Sequence, residues 1–397
     1  MSEPGRSYFV NTARCAFAFL RSGDVPAGPR RALWSVLAIL LVLALRPGVA
    51  GEVGIGSDVA RAFAEAESGR PLRYVALGGS ITQSGVGWIG PWLKEKFPAS
   101  QVTTINSGMS ATGSALGVFR IERDVISHQP DLVAIETCVN DDSLPDDVTI
   151  RYVESLVVRL KKLPHPPAII FIEAAAKNGS KIGRHRQVAR HYGLLEIDLQ
   201  AAVDTELKRT GQDWSAFFTD NVHPNEAGNQ FYARAIEQAL APLLGQNPSA
   251  GDQVLPQPLS EKPLILDGRM VPLFGISGVS GWKKNASPPF WMDAFFNGTL
   301  SASEPGAALE IPFRGTCVGV FYPMDKSYGT FDVSIDGGKP LRIAPNTRGG
   351  YSLDIIGRDL PEGEHVLRAT LPAADPAPGV NGEVRLGYLL LAGEGTL

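Results

Sequence analysis

Residues 74–82, YVALGGSIT, contain the turn on which the predicted fold depends. An apolar run, residues 72–77, ends in two glycines, and Ser80 follows them directly. Further along the chain, similar runs alternate with helical patterns, and strands this apolar must be covered on both faces. We therefore predict a parallel sheet in a three-layer α/β/α sandwich. Ser80 would lie at the carboxyl edge of that sheet, where open α/β sheets bind ligands.

The alternation continues to about residue 244. Strands are predicted at 72–77, 101–106, 131–137, 168–173 and 194–198, and helices at 88–97, 115–127, 148–163, 181–192 and after Pro224.

The composition changes after Leu244, where proline and turn-forming residues predict a linker over residues 245–262. Beyond it, over 263–397, the helical period disappears and alternating apolar runs predict an antiparallel β-sandwich of jelly-roll type. The runs are 308–313, 317–322, 330–336, 351–355, 365–371 and 384–391. Asp336, Gly337 and Gly338 predict a hairpin turn.

The first 50 residues have the layout of an export signal. Arg30 and Arg31 precede an apolar run, residues 32–45, and small residues follow it up to Ala50. The run is shorter than the roughly 20 residues of a membrane-spanning helix, which favours a signal peptide cleaved near Ala50. An uncleaved N-terminal membrane anchor is the alternative. Either interpretation predicts a periplasmic, secreted or inner-membrane-anchored protein.

Composition excludes several classes of function. Lys and Arg number 37 against 41 Asp and Glu, a net charge of −4, so no basic field favours nucleic acid. Three cysteines are too few for a disulfide framework. No motif has metal-ligand spacing, and we predict neither a metal nor another cofactor.

Four chain segments carry residues suited to acyl transfer. Ser80 could be a nucleophile, although a Gly-Gly-Ser sequence also fits a plain turn or helix cap. Asp220 and His223 lie three residues apart, so the carboxylate could orient the imidazole, or the two could form only a local turn bond. The backbone N–H groups of Ser80 and Gly108 and the amide of Asn140 could stabilise an oxyanion.

The order of these segments resembles the SGNH (GDSL-type) hydrolase family, over about residues 71–244. The resemblance implies a flavodoxin-like α/β fold with Ser80 as nucleophile, His223 as base and Asp220 as its partner. It also implies an oxyanion hole formed by Ser80, Gly108 and Asn140. Two positions depart from the family pattern: Gly79 replaces aspartate, and Cys138 replaces a common glycine. The α/β-hydrolase alternative lacks its Gly-x-Ser-x-Gly motif.

Three other groups of residues receive structural interpretations. Asp141, Asp142, Asp146 and Asp147 are predicted to be solvated turn residues rather than a cation site. The basic stretch 177–191 is predicted to be a solvated helix face, with contact to an anionic glycan as the alternative. The aromatic residues could stack on sugars or cover the domain junction, and we favour the junction. They are Trp282, Phe290, Trp291, Phe295 and Phe296.

Together these features predict an exported serine esterase that acts on acylated carbohydrate, with O-acetyl groups as the expected substrate. A polysaccharide O-acetyltransferase using the same acyl-enzyme is one alternative, and a non-catalytic glycan-binding or envelope assembly protein is another. The linker suggests that the two domains fold independently. If the aromatic residues pack on the first domain, however, neither domain would be independent. The sequence does not indicate an oligomeric state.

Overall fold

The computed structural model describes residues 54–85, 88–248, 254–277, 279–286, 295–344, 350–372 and 382–393. The described residues belong to one compact unit. The predicted export segment, with residues 32–45, and the aromatic residues Phe290 and Trp291 lie outside the described residues. Over the described ranges, no helix has both the length and the apolar character needed to cross a membrane.

The first part of the compact unit is the predicted three-layer sandwich. Its parallel sheet has the order β2-β1-β3-β4-β5. The strands are β1 (Leu72–Gly78), β2 (Val102–Gly108), β3 (Leu132–Glu136), β4 (Ala168–Glu173) and β5 (Leu195–Asp198). The helices are α1 (Ser57–Glu67), α2 (Ser80–Ser84), α3 (Gly90–Lys96), α4 (Ser114–Asp124), α5 (Asp146–Lys161), α6 (Ile182–His191), α7 (Leu199–Thr210) and α8 (Glu226–Leu240). Every predicted strand is present.

Alternate side chains of the central strands enter two different cores, which is why β1, β3 and β4 are mostly apolar. Val75 and Leu77 of β1 pack with α4, α5 and α6, whereas Leu72 and Tyr74 pack with α1, α3, α7 and α8. Helices α1 and α7 were not predicted from the sequence. Because Phe63 of α1 is fully buried in the second core, the α/β fold begins before the predicted residue 71.

The second part is antiparallel, as predicted. Its three sheets have the orders β13-β10-β16-β6, β12-β11-β14-β9 and β15-β8-β7. The strands are β6 (Arg269–Pro272), β7 (Lys283–Asn285), β8 (Thr299–Ala302), β9 (Ala308–Arg314), β10 (Cys317–Met324), β11 (Phe331–Ile335), β12 (Leu341–Ile343), β13 (Gly350–Gly357), β14 (Glu364–Thr370), β15 (Val384–Leu386) and β16 (Tyr388–Ala392). Asp336 and Gly337, both with positive φ, form the predicted hairpin turn between β11 and β12.

One sheet of this β-domain is buried on both faces. Val318 and Val320 of β10 face the β-sandwich core, whereas Phe321 belongs to the same core as α4 and α5 of the α/β part. Tyr388 and Leu390 of β16 join that shared core. The two parts therefore share apolar packing, which supports the second alternative above, in which neither domain is independent.

The predicted linker is ordered where it is described. Both carboxylate oxygens of Glu154 on α5 accept backbone N–H groups, from Leu259 at 2.6 Å and Ser260 at 2.8 Å. The Ser155 hydroxyl accepts the Ile265 N–H at 2.9 Å. The backbone at Leu259, Ser260 and Ile265 is therefore fixed against α5 by buried polar groups of that helix.

Candidate active site

The turn after β1 presents Ser80 as the first residue of α2, where the helix leaves its backbone N–H without an intrahelical acceptor. Gly79 precedes it with φ −90° and ψ −148°. A Cβ on Gly79 would lie 1.9 Å from Asn140 Oδ1 and 3.2 Å from the Thr112 carbonyl oxygen. The absence of a side chain at position 79 therefore allows Asn140 to lie directly against the serine turn.

Ser80, His223 and Asp220 form a continuous hydrogen-bonded chain. Ser80 Oγ lies 2.7 Å from His223 Nε2, and His223 Nδ1 lies 2.7 Å from Asp220 Oδ2. With the Nδ1 proton donated to the carboxylate, Nε2 is left to accept the serine proton. The structure thus brings the three predicted residues together from two loops 143 positions apart.

Local hydrogen bonds hold Asp220 in its orientation. Its Oδ1 accepts the N–H groups of Val222 and His223, both at 2.8 Å, and Trp214 Nε1 donates to its carbonyl oxygen. Partial burial favours the neutral acid, but the His223 and Val222 N–H groups and the His223 ring lower the pKa of Asp220 to about 2. Asp220 is therefore ionised at any pH near neutrality, as an orienting carboxylate must be.

The donors predicted for the oxyanion hole differ in whether they already make a hydrogen bond in this structure. The Gly108 N–H donates to Asn106 Oδ1 at 2.8 Å, inside its own loop. Since one N–H donates one good hydrogen bond, Gly108 is not available to an oxyanion here. Asn140 Oδ1 is buried without a partner, and its Nδ2 makes no hydrogen bond within the described residues. Ser80 N–H and Asn140 Nδ2 are the donors that remain.

We expect Gly79→Asp, which restores the family residue, to lower kcat by about 100-fold with a smaller change in KM, because Asn140 must rotate out of the site. Stability should change little, since a side-chain end moves rather than backbone. Steady-state kinetics on an aryl acetate test this. Asn140→Ala should cause a similar loss, and the double variant should be no worse than either. Wild-type kcat in Gly79→Asp would contradict the assigned contact.

A buried carboxyl group is hydrogen-bonded to α2, the helix that begins with Ser80. Glu136, the last residue of β3, accepts the Thr82 hydroxyl at 2.8 Å and the Thr82 N–H at 3.2 Å. Burial raises the pKa of Glu136 to about 7, against the lowering effect of both Thr82 donors. Glu136 was not predicted to be a site residue, although an acidic residue that ends an apolar central strand was a visible signal.

Because folded Glu136 binds its proton more tightly than an unfolded glutamate of pKa 4.5, its contribution to stability is lost as pH rises from that value to about 7. We expect the free energy of unfolding of wild type to fall by about 3 kcal/mol more than that of Glu136→Gln between about pH 4 and pH 8. Denaturant titrations across this range test it. Glu95→Gln, at an exposed glutamate, is the control and should follow wild type. Parallel curves for wild type and Glu136→Gln would contradict the prediction.

A second buried cluster lies behind Asn140. His185 Nε2 on α6 contacts Asp141 Oδ2 at 3.0 Å, and its Nδ1 lies 3.6 Å from Glu173 Oε1. Burial disfavours the charged ring, but the carboxylates of Glu173 and Asp141 raise the pKa of His185 overall. The predictions of a solvated Asp141 and a solvated His185 are wrong, because both side chains are buried and hydrogen-bonded to each other. Asp141 also accepts the Ser114 N–H that begins α4, at 2.8 Å.

Cys138, the other departure from the family pattern, points into the interior. Its side chain is fully buried, and burial raises the pKa of its thiol. Cys138 and Cys317, the two cysteines within the described residues, are both free and buried. Among the described residues, no group of three or more His, Cys, Asp or Glu could hold a metal ion.

A groove of about 370 Å³ lies between the α/β part and the β-domain, and we call it the interdomain groove. Ala111, Thr112 and Asn140 form one wall, and Tyr351 with Ser352 of β13 form the opposite wall. It therefore meets the serine turn at Asn140. A larger cavity, about 810 Å³, lies near Arg73 and Asp131, at the amino end of the strands and far from Ser80.

Comparisons with known proteins agree with this architecture. Residues 76–231 match the GDSL-like Lipase/Acylhydrolase family. No curated protein matches the chain in sequence. A two-domain esterase active on acetylated mannans, solved alone and with mannopentaose, is 24% identical with a TM-score of 0.76, over 86% of this chain and 96% of that chain. Axe2, an acetylxylan esterase from Geobacillus stearothermophilus, is 24% identical with a TM-score of 0.38, over 43% of this chain and 94% of that chain.

Proposed function

Residues 76–231 place the chain in the GDSL-like lipase/acylhydrolase family, so it is a carboxylic ester hydrolase, and we propose that it removes O-acetyl groups from an extracytoplasmic polysaccharide through an acyl-enzyme on Ser80. The observation that carries this proposal is the hydrogen-bonded chain from Ser80 through His223 to Asp220, with 2.7 Å at each step. A non-catalytic binding protein would have no need of that alignment.

In the first half of the proposed reaction, Ser80 Oγ attacks the ester carbonyl carbon while His223 Nε2 takes the hydroxyl proton. The Ser80 N–H and Asn140 Nδ2 donate to the carbonyl oxygen as it becomes negative. His223 then gives its proton to the departing sugar oxygen, which leaves acetyl-Ser80.

In the second half, His223 removes a proton from water, and the hydroxide attacks acetyl-Ser80. Collapse of this second intermediate releases acetate and returns the proton to Ser80 Oγ. The His223 side chain is 40% exposed and that of Asp220 is 53% exposed, so water reaches the base directly. This openness favours water over a sugar hydroxyl as acyl acceptor, and thus hydrolase over transferase.

The interdomain groove supports a polymeric carbohydrate as substrate. It is open and polar, with Ser143, Ser352 and Asp354 among its lining residues, as hydroxyl-rich ligands require. The two-domain esterase of similar fold acts on acetylated mannans, and we infer a related hexose or pentose polymer here.

Acetate release from acetylated mannan, acetylated xylan and an aryl acetate, each with and without an unacetylated acceptor glycan, tests this function. We expect release from polymer with no acetyl transfer to acceptor. Transfer to the acceptor would replace hydrolase by transferase, and inactivity on all three esters would overturn the proposal.

We also expect Ser143→Trp, which adds an indole at an exposed position that lines the interdomain groove, to raise KM for acetylated polymer by about 10-fold or more and to leave aryl acetate hydrolysis unchanged. Ser334→Trp is the matched control, because Ser334 lies on β11 of the β-domain and does not line the groove. Equal polymer KM values for the two variants would show that the groove does not bind the glycan.

A further inference from the structure

Tyr351 connects the β-domain to the loop that follows β2. Its hydroxyl donates to the carbonyl oxygen of Ser110, across 241 positions in sequence. Its ring packs against Phe321, with centroids 5.5 Å apart, and against Phe295 at 5.1 Å. Burial raises the pKa of the Tyr351 phenol, so it stays protonated and able to donate throughout the working pH range.

The loop that receives this bond is strained at its next residue. Ala111 has φ +55°, in the left-handed region that a residue with a Cβ disfavours. A peptide in this conformation persists only if its surroundings hold it. The Ser110–Ala111 peptide is held on one side by Tyr351, through the Ser110 carbonyl oxygen.

The other side of the loop is attached to the serine turn itself. Gln83 of α2 accepts both the N–H and the hydroxyl of Ser110, at 2.9 and 2.6 Å. The loop continues to Thr112, whose carbonyl oxygen lies next to Gly79, and forms the wall of the interdomain groove beside Asn140. Ser110 is thus bound at once by the nucleophile helix and by the β-domain.

We propose that Tyr351 is a positioning residue for acyl transfer: its hydroxyl keeps the Ser110–Ala111 peptide in the left-handed conformation that aligns this loop with Ser80 and Asn140. The inference rests on the proposed function. It extends that function by making the β-domain part of the apparatus that hydrolyses even a small ester, beyond any contact it makes with a glycan.

The test compares Tyr351→Phe with Tyr388→Phe on an aryl acetate too small to fill the groove. Tyr388 is a matched control because it lies in the same aromatic cluster and its hydroxyl contacts the Asn297 N–H, not the loop. We expect kcat to fall by about 10-fold in Tyr351→Phe with KM within about twofold, and no change in Tyr388→Phe. Equal kcat values for the two variants would overturn the proposal.

Rescue separates positioning from a general loss of packing. Glycine adopts positive φ freely, so the Ala111→Gly substitution removes the strain that Tyr351 opposes. We expect Tyr351→Phe to cost at most about threefold in kcat when introduced into Ala111→Gly. The same 10-fold cost in both backgrounds would show that Tyr351 does not act through Ala111, and would overturn the proposal.

The rate at which a serine-directed phosphonate labels Ser80 distinguishes this inference from the function on which it rests. If the wild type hydrolyses no ester but reacts with the phosphonate, the labelling rates of Tyr351→Phe and Tyr388→Phe test the inference. We then expect slower labelling of Tyr351→Phe than of Tyr388→Phe. If wild type neither hydrolyses nor labels, the proposed function and the inference are both overturned.

Discussion

Ser80→Ala should lower ester hydrolysis by about 10⁴-fold or more while the protein stays folded, because the change removes only the attacking oxygen. Steady-state rates on an aryl acetate measure this, and far-UV circular dichroism checks the fold. Ser84→Ala is the matched control, since Ser84 ends the same helix α2 and is exposed. It should retain wild-type activity.

His223→Ala should be comparably severe, since triad members act as a unit and Ser80 then has no base within hydrogen-bond distance. Asp220→Ala should be milder, because its site is half exposed and water can bind the ring in its place. Near-wild-type turnover in Ser80→Ala, or in His223→Ala across pH, would refute the assigned roles.

A chain that ends at Gly245 should fail to fold as a soluble enzyme and should lose activity on aryl acetate as well as on polymer. Truncation removes Phe296, Phe321, Tyr388 and Leu390 from the shared core. At about 1.5 to 3 kcal/mol for each large apolar side chain, this loss approaches the whole stability of a typical domain. Solubility, the cooperativity of thermal unfolding and aryl acetate kinetics, each compared with the full chain, test it.

Truncation also removes polar partners of α5. Glu154 loses the N–H groups of Leu259 and Ser260, and Arg151 loses its bond to the Pro263 carbonyl oxygen and its ion pair with Asp359. A soluble truncated chain that unfolds cooperatively, with kcat/KM within about threefold of the full chain, would show instead that the α/β part is independent.

The strands and helices that position the active site could be predicted because each depends on local periodicity. Residues 168–173 were predicted as a strand and form β4, and the loops bearing Ser80, Asn140 and His223 follow from that alternation. The packing of the two domains against each other could not be predicted from the change in composition between them. A signal was nevertheless present: β10 and β16 are apolar at successive positions, which in an antiparallel sheet indicates that both faces are buried.

The environment of an individual residue could not be predicted where it depends on a partner distant in sequence. Nor could it be predicted where a neighbouring side chain binds the group concerned. His185 and Asp141 are 44 positions apart, so neither sequence environment reveals that they meet in the interior. Gly108 was chosen for its backbone N–H, and only the conformation of the Asn106 side chain shows that this group is already bound. Asn140 was predicted by its place after β3, but its contact with Gly79 needs the folded sheet.

Intact-mass analysis after treatment with a serine-directed phosphonate tests whether Ser80 forms a covalent intermediate. Ser80 Oγ would displace the leaving group from phosphorus and keep the phosphonyl group. We predict one adduct per chain, mapped by peptide mass spectrometry to Ser80, absent from Ser80→Ala and formed more slowly in His223→Ala. An adduct that persists in Ser80→Ala, or a wild-type enzyme that hydrolyses esters yet acquires no adduct, would contradict the assignment of Ser80 as the nucleophile.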